Sequence, residues 1–221
     1  MLKPYISPVP IIPSILVQSR QDFEKQLEFA AQTAGAAHLD VTDSQFCPGE
    51  SLLIDDWPEI ELPYSEAHLM VVSPIEYLGR IAAKKVTRAI VHIEAKFDPA
   101  ELIETARGLD ILLGYAINPD TDLEKLRPYL DTSSYVQVMG VHPGRSNQEL
   151  IDQTPVAINY LLKNIAKRLI ISVDGGVNTN NIARLKGSGA NYFVAAHSIF
   201  RTHQWPENYQ QLQKALETND D

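Results

Sequence analysis

Residues 10–41, "PIIPSILVQSRQDFEKQLEFAAQTAGAAHLDV", decide the fold because they contain one complete strand–helix–strand unit. The apolar runs 10–16 and 36–41 each predict a buried strand. Between them, apolar residues recur at helical spacing at Phe23, Leu27 and Ala30 or Ala31. Ser19 is a typical helix N-cap, and Gly35 is a typical helix stop. Two nearly continuous apolar strands joined by a helix predict a parallel pair, because a parallel connection needs a crossover of this length.

The same unit recurs along the whole chain. Apolar runs predict strands at residues 10–16, 36–41, 65–72, 88–95, 110–118, 134–141, 168–173 and 191–196. Helical patterns follow at residues 74–86, 98–109, 122–130, 178–190 and 206–216, among others. Eight such units in 221 residues predict a single-domain (β/α)8 TIM barrel over residues 1–221, with eight parallel strands ringed by helices. An open doubly wound sheet more often has fewer strands and a glycine-rich first turn.

Composition and charge narrow the classes of partner. The formal net charge of −9 argues against nucleic acid and anionic membranes, which need clustered Lys and Arg. No apolar run approaches the roughly 20 residues that span a bilayer, and the N-terminus lacks a signal-peptide pattern. The single cysteine, Cys47, fits a reducing compartment, so we expect a cytoplasmic protein. Cys47 is either a reactive thiol or a small, partly buried packing residue.

Polar residues gather where the predicted strands end. His38 and Asp40 are two residues apart in a strand, so their side chains leave the same face, and burying both is costly without a partner. In a TIM barrel, the C-terminal ends of the strands surround the active site. The histidines near such ends are His38, His68, His92, His142 and His197, and the aspartates are Asp40 and Asp174. Each histidine could instead be an ordinary one hydrogen-bonded to backbone.

Four of these residues have the chemistry of a metal site. Two imidazoles and two carboxylates converge from strands two, three and seven: His38, Asp40, His68 and Asp174. This donor set suits one divalent transition metal ion, Zn²⁺, Fe²⁺, Mn²⁺ or Co²⁺, whose charge would offset the cost of burying the carboxylates. The "DGG" at 174–176 is either a simple turn or a loop whose backbone N–H groups hold a phosphate.

In their order and spacing, the motifs of this chain resemble those of the ribulose-phosphate 3-epimerase family almost from end to end. The matching pieces are "PSIL" (13–16), "HLDVTD" (38–43), "HLM" (68–70), "HIEA" (92–95), "INP" (117–119), "MGVHPG" (139–144), "VDGGV" (173–177) and "IF" (199–200). Related decarboxylase barrels carry an Asp-x-Lys pattern on strand two, whereas here Thr42 takes the lysine's place.

The resemblance implies a role for each matched residue. It implies that the metal ligands are His38, Asp40, His68 and Asp174, and that the two aspartates are also the acid/base pair. It implies that the substrate pocket is lined by Ser14, Met70 and Met139. It also implies that the loops around a phosphate contain Gly144, Gly175 and Gly176. The implied reaction inverts the carbon beside the carbonyl of a ketose phosphate, interconverting D-ribulose 5-phosphate and D-xylulose 5-phosphate without an organic cofactor. Two groups must flank that carbon, one to remove a proton and one to deliver it. The resemblance also suggests a homo-oligomer.

Three loops depart from the family pattern. Residues 43–45 are Asp-Ser-Gln where the family usually has Asp-Gly-His or Asp-Gly-Asn, and residues 143–148 are Pro-Gly-Arg-Ser-Asn-Gln in place of Pro-Gly-Phe-Gly-Gly-Gln. Ala196-His197 replaces Gly-Ser or Gly-Asn. Arg145 and His197 either bind an anion through their side chains or are solvated surface residues. Two alternatives therefore stay open: a divergent paralogue acting on another phosphorylated or unphosphorylated sugar, and a non-catalytic barrel that binds a metal or ligand.

Overall fold

Eight parallel strands close into a barrel in chain order in the computed structural model, which describes residues 6–144, 148–166 and 168–218. The strands are β1 (Ile11–Ile15), β2 (Ala36–Thr42), β3 (Tyr64–Met70), β4 (Arg88–His92), β5 (Leu112–Ile117), β6 (Tyr135–Met139), β7 (Ile170–Asp174) and β8 (Tyr192–Ala195). Each lies where the sequence predicts a strand, so the predicted (β/α)8 fold is confirmed. The residues of most strands are buried throughout, as expected for a parallel sheet covered on both faces.

Helices pack around the barrel. They are α1 (Arg20–Thr33), α2 (Ile75–Ala83), α3 (Pro99–Gly108), α4 (Thr154–Tyr160), α5 (Ile182–Gly187), α6 (His197–Phe200) and α7 (Trp205–Glu217). After β2 there is only a short 3₁₀ turn, Ile54–Asp56, and after β5 the predicted helix is a 3₁₀ helix, Leu123–Tyr129. Pro128 lies inside that 3₁₀ helix and has no N–H for an α-helical hydrogen bond. No helix in the described ranges is long and apolar enough to cross a membrane.

The predicted ends of α1 are confirmed. The Ser19 hydroxyl oxygen accepts the backbone N–H of Asp22 at 3.1 Å and caps the helix. Gly35 has φ +60°, the left-handed conformation typical of a helix end, and its N–H donates to the Ala30 carbonyl at 2.9 Å. Of the predicted inward face, Phe23 and Ala30 are buried and Leu27 is partly buried.

The strand register brings the polar residues to one end of the barrel. Ser14 is level with His38 on β2, and Asp40 is level with His68 on β3. On the far side, Met139 on β6 is level with Asp174, the last residue of β7. Because parallel strands end at the same edge, these residues surround one opening at the C-terminal ends of the strands.

Candidate metal centre and active site

The four candidate metal ligands converge. One ligand atom from each of His38, Asp40, His68 and Asp174 lies within 4.8 Å of the others. Nδ1 of His68 is 3.0 Å from Asp40 Oδ1 and 3.2 Å from Asp174 Oδ2. Nε2 of His38 is 3.4 Å from Asp40 Oδ1 and 3.8 Å from Asp174 Oδ2. Each imidazole therefore has one nitrogen within 3.8 Å of an oxygen of both carboxylates.

His38 leaves a buried nitrogen without a partner inside this cluster. Its Nδ1 is 2.7 Å from Oε1 of Glu66, so its Nε2 points towards the two aspartates. Among the described residues, Nε2 is buried and makes no hydrogen bond. An unpaired buried polar atom costs free energy, and a metal ion would use its lone pair. The arrangement fits a divalent transition metal, because a metal-binding histidine usually donates its other N–H to a carboxylate.

The second imidazole is held in a similar way, through another histidine. Nε2 of His68 is 2.8 Å from Nε2 of His92, and Nδ1 of His92 is 3.3 Å from Oε2 of Glu94. If His92 donates from Nδ1 to Glu94, its Nε2 accepts the Nε2–H of His68. That tautomer leaves the Nδ1 lone pair of His68 directed at the carboxylates, as a metal ligand requires.

The electrostatics of the cluster also favour a cation. Burial lowers the pKa of His38 and of His68, but the neighbouring carboxylates outweigh burial and raise both above the ordinary histidine value. Burial raises the pKa of Asp40, and the two imidazoles more than reverse this and hold it below its usual range. Burial lowers the pKa of His92 to about 4, so His92 is neutral at physiological pH. Positive charge is thus stabilised between the two aspartates and not at His92.

Each aspartate is positioned by a neighbouring side chain. The Ser14 hydroxyl donates to Asp40 Oδ2 at 2.7 Å, which leaves Oδ1 facing the imidazoles. The Gln137 side-chain amide donates to Asp174 Oδ2 at 3.1 Å. Gln137 is fully buried in β6, and its Oε1 has no hydrogen-bond partner among the described residues. A buried side-chain amide needs a hydrogen-bond partner, and the Asp174 carboxylate supplies one for Gln137.

A cavity of about 360 Å³ opens beside the two aspartates. The predicted residues that line it are Ser14, Asp40, Met70, Met139, Gly144, Asp174, Gly175, Gly176 and His197. His38 and His68 are fully buried next to the aspartates and do not line it. Arg145 lies outside the described residues. Of the other rim histidines, His142 is exposed and pairs with Asp120 at 2.7 Å, away from the cavity lining.

The glycines around the cavity are required by packing. A Cβ on Gly175 would lie 2.3 Å from the Val141 side chain, and one on Gly176 would lie 2.6 Å from the backbone N of Leu150. Both also have positive φ, which favours glycine. Their lack of a side chain therefore has a structural cause, whether or not a phosphate approaches. The backbone N–H of Gly176 donates to no other residue in the described part of the chain.

The altered loop at 43–45 is held by its own side chains. The Asp43 carboxylate accepts the backbone N–H groups of Gln45, Phe46 and Val72 at 2.7–2.8 Å. Ser44, which stands where the family usually has glycine, adopts φ +59°, and its hydroxyl donates to the Gly49 carbonyl at 2.6 Å. That hydrogen bond offsets part of the strain of a left-handed serine.

Sequence reasoning missed three residues of the candidate site. Glu66 and Gln137 support ligands from within the barrel, and Arg201 lines the cavity beyond α6. The signal for Glu66 was present: it precedes His68 by two residues in an apolar strand, the same spacing as His38 and Asp40.

Cys47 is buried, and burial raises the pKa of its thiol. These two properties favour a packing role for Cys47 over a reactive one.

Comparison with known proteins gives a consistent result. A family model described as "Ribulose-phosphate 3 epimerase family" matches residues 10–200. The ribulose-phosphate 3-epimerase of Schizosaccharomyces pombe is 28% identical over 204 residues, covering 89% of this chain and 89% of that protein. The enzyme of that name from Rhodobacter capsulatus is 30% identical over 199 residues, covering 87% and 86%. Among solved structures, a mutant tryptophan synthase α-subunit from Pyrococcus furiosus has a TM-score of 0.67 at 18% identity, over 94% of this chain and 96% of that one. This last likeness shows the fold alone.

Proposed function

Because the chain belongs to the ribulose-phosphate 3-epimerase family, we propose that it is a metal-dependent isomerase that interconverts D-ribulose 5-phosphate and D-xylulose 5-phosphate. The observation that carries the proposal is the pairing of Asp40 and Asp174 around a metal-type donor set at the edge of one cavity. A ligand-binding barrel without catalysis has no need of two cavity-lining carboxylates from separate strands. Both are present and both are held in place by a hydrogen bond.

The two aspartates perform the inversion. One of them, ionised, removes the proton from the carbon beside the carbonyl. The electron pair of the broken C–H bond forms a C=C bond, and the π pair of the carbonyl moves onto its oxygen to give an enediolate. The other, protonated at the start, delivers its proton to the opposite face of the same carbon. The two aspartates end the reaction with their protonation states exchanged, so the next forward turnover requires proton exchange with solvent.

A divalent ion held by His38, Asp40, His68 and Asp174 would stabilise the negative charge that develops on the substrate oxygens. Ser14 and Gln137 keep the two carboxylates in fixed orientations. Met70 and Met139 line the cavity with apolar surface and are each 3% exposed, so they exclude water from the reacting carbon.

The other end of the cavity receives the phosphate. Gly144, Gly175 and Gly176 border it, and their loops can offer backbone N–H groups to an anion. His197, exposed at the start of α6, adds a side-chain donor. Arg145, outside the described residues, is proposed as a further contact from the loop after β6.

The test combines metal analysis with solvent deuterium exchange into a panel of ketoses. Protein purified without added metal should carry about one divalent ion per chain, and His68→Ala should lose most of it. Exchange into ribulose 5-phosphate supports the proposal, whereas exchange only into other sugars supports a divergent paralogue. Stoichiometric metal without exchange into any sugar would identify a non-catalytic barrel.

We also propose a cytoplasmic, homo-oligomeric enzyme with no nucleic-acid or membrane partner. The net charge of −9 supports the absence of a nucleic-acid or anionic-membrane partner, and the single cysteine supports the location. Cell fractionation tests the compartment, and light scattering coupled to size-exclusion chromatography tests the oligomeric state. Recovery in a membrane pellet or a monomeric mass would contradict the respective statement.

A further inference from the structure

Arg201 is the only Lys or Arg among the described residues that line the active-site cavity. Its guanidinium makes no hydrogen bond or ion pair with any described residue. By contrast, Arg20, Arg80, Arg127 and Arg184 each pair with a carboxylate. Arg201 is therefore a permanent positive charge at the cavity that no carboxylate among the described residues neutralises.

The backbone that carries Arg201 is fixed on both sides. The buried side chain of Asn208 donates to the Ile199 carbonyl at 2.8 Å and to the Thr202 hydroxyl at 3.0 Å. The Ser198 hydroxyl donates to the Val177 carbonyl, which ties α6 to the loop after β7. The position of Arg201 relative to that loop is thus set by hydrogen bonds, while its side chain is exposed and free to reach a ligand.

His197 lies next to Arg201 on the same face. The two residues are four apart, and the N–H of Arg201 donates to the His197 carbonyl at 3.1 Å in a helical turn. Both side chains line the cavity, together with the neutral residues of the loop after β7. The one additional carboxylate in the lining, Glu149, lies on the loop after β6. Among the described residues, Arg201 is therefore the one permanent positive charge that can attract an anion at this end of the cavity.

We propose that Arg201 binds the phosphate of the substrate and makes the enzyme specific for phosphorylated over unphosphorylated ketoses. The inference rests on the proposed function, and it assigns recognition of the substrate phosphate to the side chain of Arg201. Guanidinium binds phosphate through two parallel N–H donors, which gives both affinity and orientation. A side-chain contact of this kind compensates for the loss of one glycine, because Ala196-His197 stands where the family usually has Gly-Ser or Gly-Asn.

The experiment compares Arg201→Gln with Arg184→Gln. Arg184 is a matched control because it carries the same charge, lies on α5 outside the cavity lining and pairs with Asp152. In metal-loaded protein, Arg201→Gln should raise the Kd for inorganic phosphate, measured by calorimetry, by roughly 10- to 100-fold. It should raise KM for ribulose 5-phosphate by a similar factor and leave kcat and the KM for ribulose almost unchanged. Arg201→Lys should recover part of the loss, since it restores the charge without the paired donors.

Phosphate binding is measured in the absence of turnover. This inference and the proposed function can therefore fail separately. Loss of phosphate binding in Arg201→Gln in a protein that turns over no ketose would support Arg201 and reject the epimerase proposal. An unchanged Kd for phosphate in Arg201→Gln would overturn the inference, as would equal losses in Arg201→Gln and Arg184→Gln. Equal increases in KM for ribulose and ribulose 5-phosphate would also overturn it.

Discussion

Replacing Glu66 by Gln should weaken metal binding although Glu66 is not one of the four ligands. Glu66 is fully buried, and its carboxylate accepts Nδ1–H of His38 at 2.7 Å, which directs the Nε2 lone pair into the cluster. It also accepts hydrogen bonds from Tyr64 and, at 2.9 Å, from Tyr135. Glutamine keeps the shape but loses the charge, and its NH₂ group favours the His38 tautomer that has its proton on Nε2. That tautomer cannot bind a metal through Nε2.

The expected loss is roughly 10- to 100-fold in metal affinity, or about 1.4–2.7 kcal/mol, the usual cost of removing a partner of a metal-binding histidine. It is no larger because His68, Asp40 and Asp174 keep their own contacts. Competition with a chelating dye at fixed pH measures the Kd, and Glu104→Gln, an exposed change on α3, is the control. If Glu66→Gln folds normally and binds Zn²⁺ as tightly as Glu104→Gln does, the role assigned to Glu66 is wrong.

Three further predictions concern the metal site and the glycine loop beside the cavity. Gln137→Leu should lower kcat by roughly 10-fold with little change in KM, because it removes a hydrogen bond to Asp174 and no substrate contact; an unchanged kcat would contradict this. Metal affinity should fall with decreasing pH, and the fall should begin at a higher pH than for ordinary histidine ligands, because the carboxylates outweigh burial and raise the pKa of both ligand imidazoles, so protons compete with the metal earlier; a flat pH profile in the dye assay would count against it. Gly176→Ala should destabilise the fold by at least about 1–2 kcal/mol in urea denaturation, because φ is +73° and the added Cβ would lie 2.6 Å from a backbone nitrogen, whereas Gly79→Ala, inside α2 with open space around it, should not destabilise.

The sequence predicted the barrel well because the local patterns and the global fold agree. Each strand is an apolar run bounded by polar residues, and Ser19 and Gly35 mark the ends of α1 by their own chemistry. The four clustered side chains could be predicted from their positions at strand ends, since parallel strands end together. The 3₁₀ helix at Leu123–Tyr129 was harder, because Pro128 weighs against an otherwise helical pattern only in its last turns.

The supporting residues could not be predicted from sequence patterns, because their roles depend on contacts between residues that are far apart in the chain. Gln137 is one polar residue in an apolar strand, and nothing local says that its amide meets an aspartate on the next strand. Arg201 looks like any surface arginine, and its lack of a carboxylate partner is a property of the folded surroundings. His92 was visible as a strand-end histidine, but its contact with His68 depends on ring orientation. Such long-range pairings need the barrel register.

The most direct test of the two-aspartate reaction is to run it in ²H₂O with the wild type and with Asp40→Asn and Asp174→Asn, following the substrate and product by NMR. Wild-type product should carry solvent deuterium at the inverted carbon. Neither variant should invert that carbon, and the variant that keeps the base facing the substrate C–H bond should exchange that hydrogen with retention of configuration. Product free of solvent deuterium, or either variant turning over at the wild-type rate, would contradict the account.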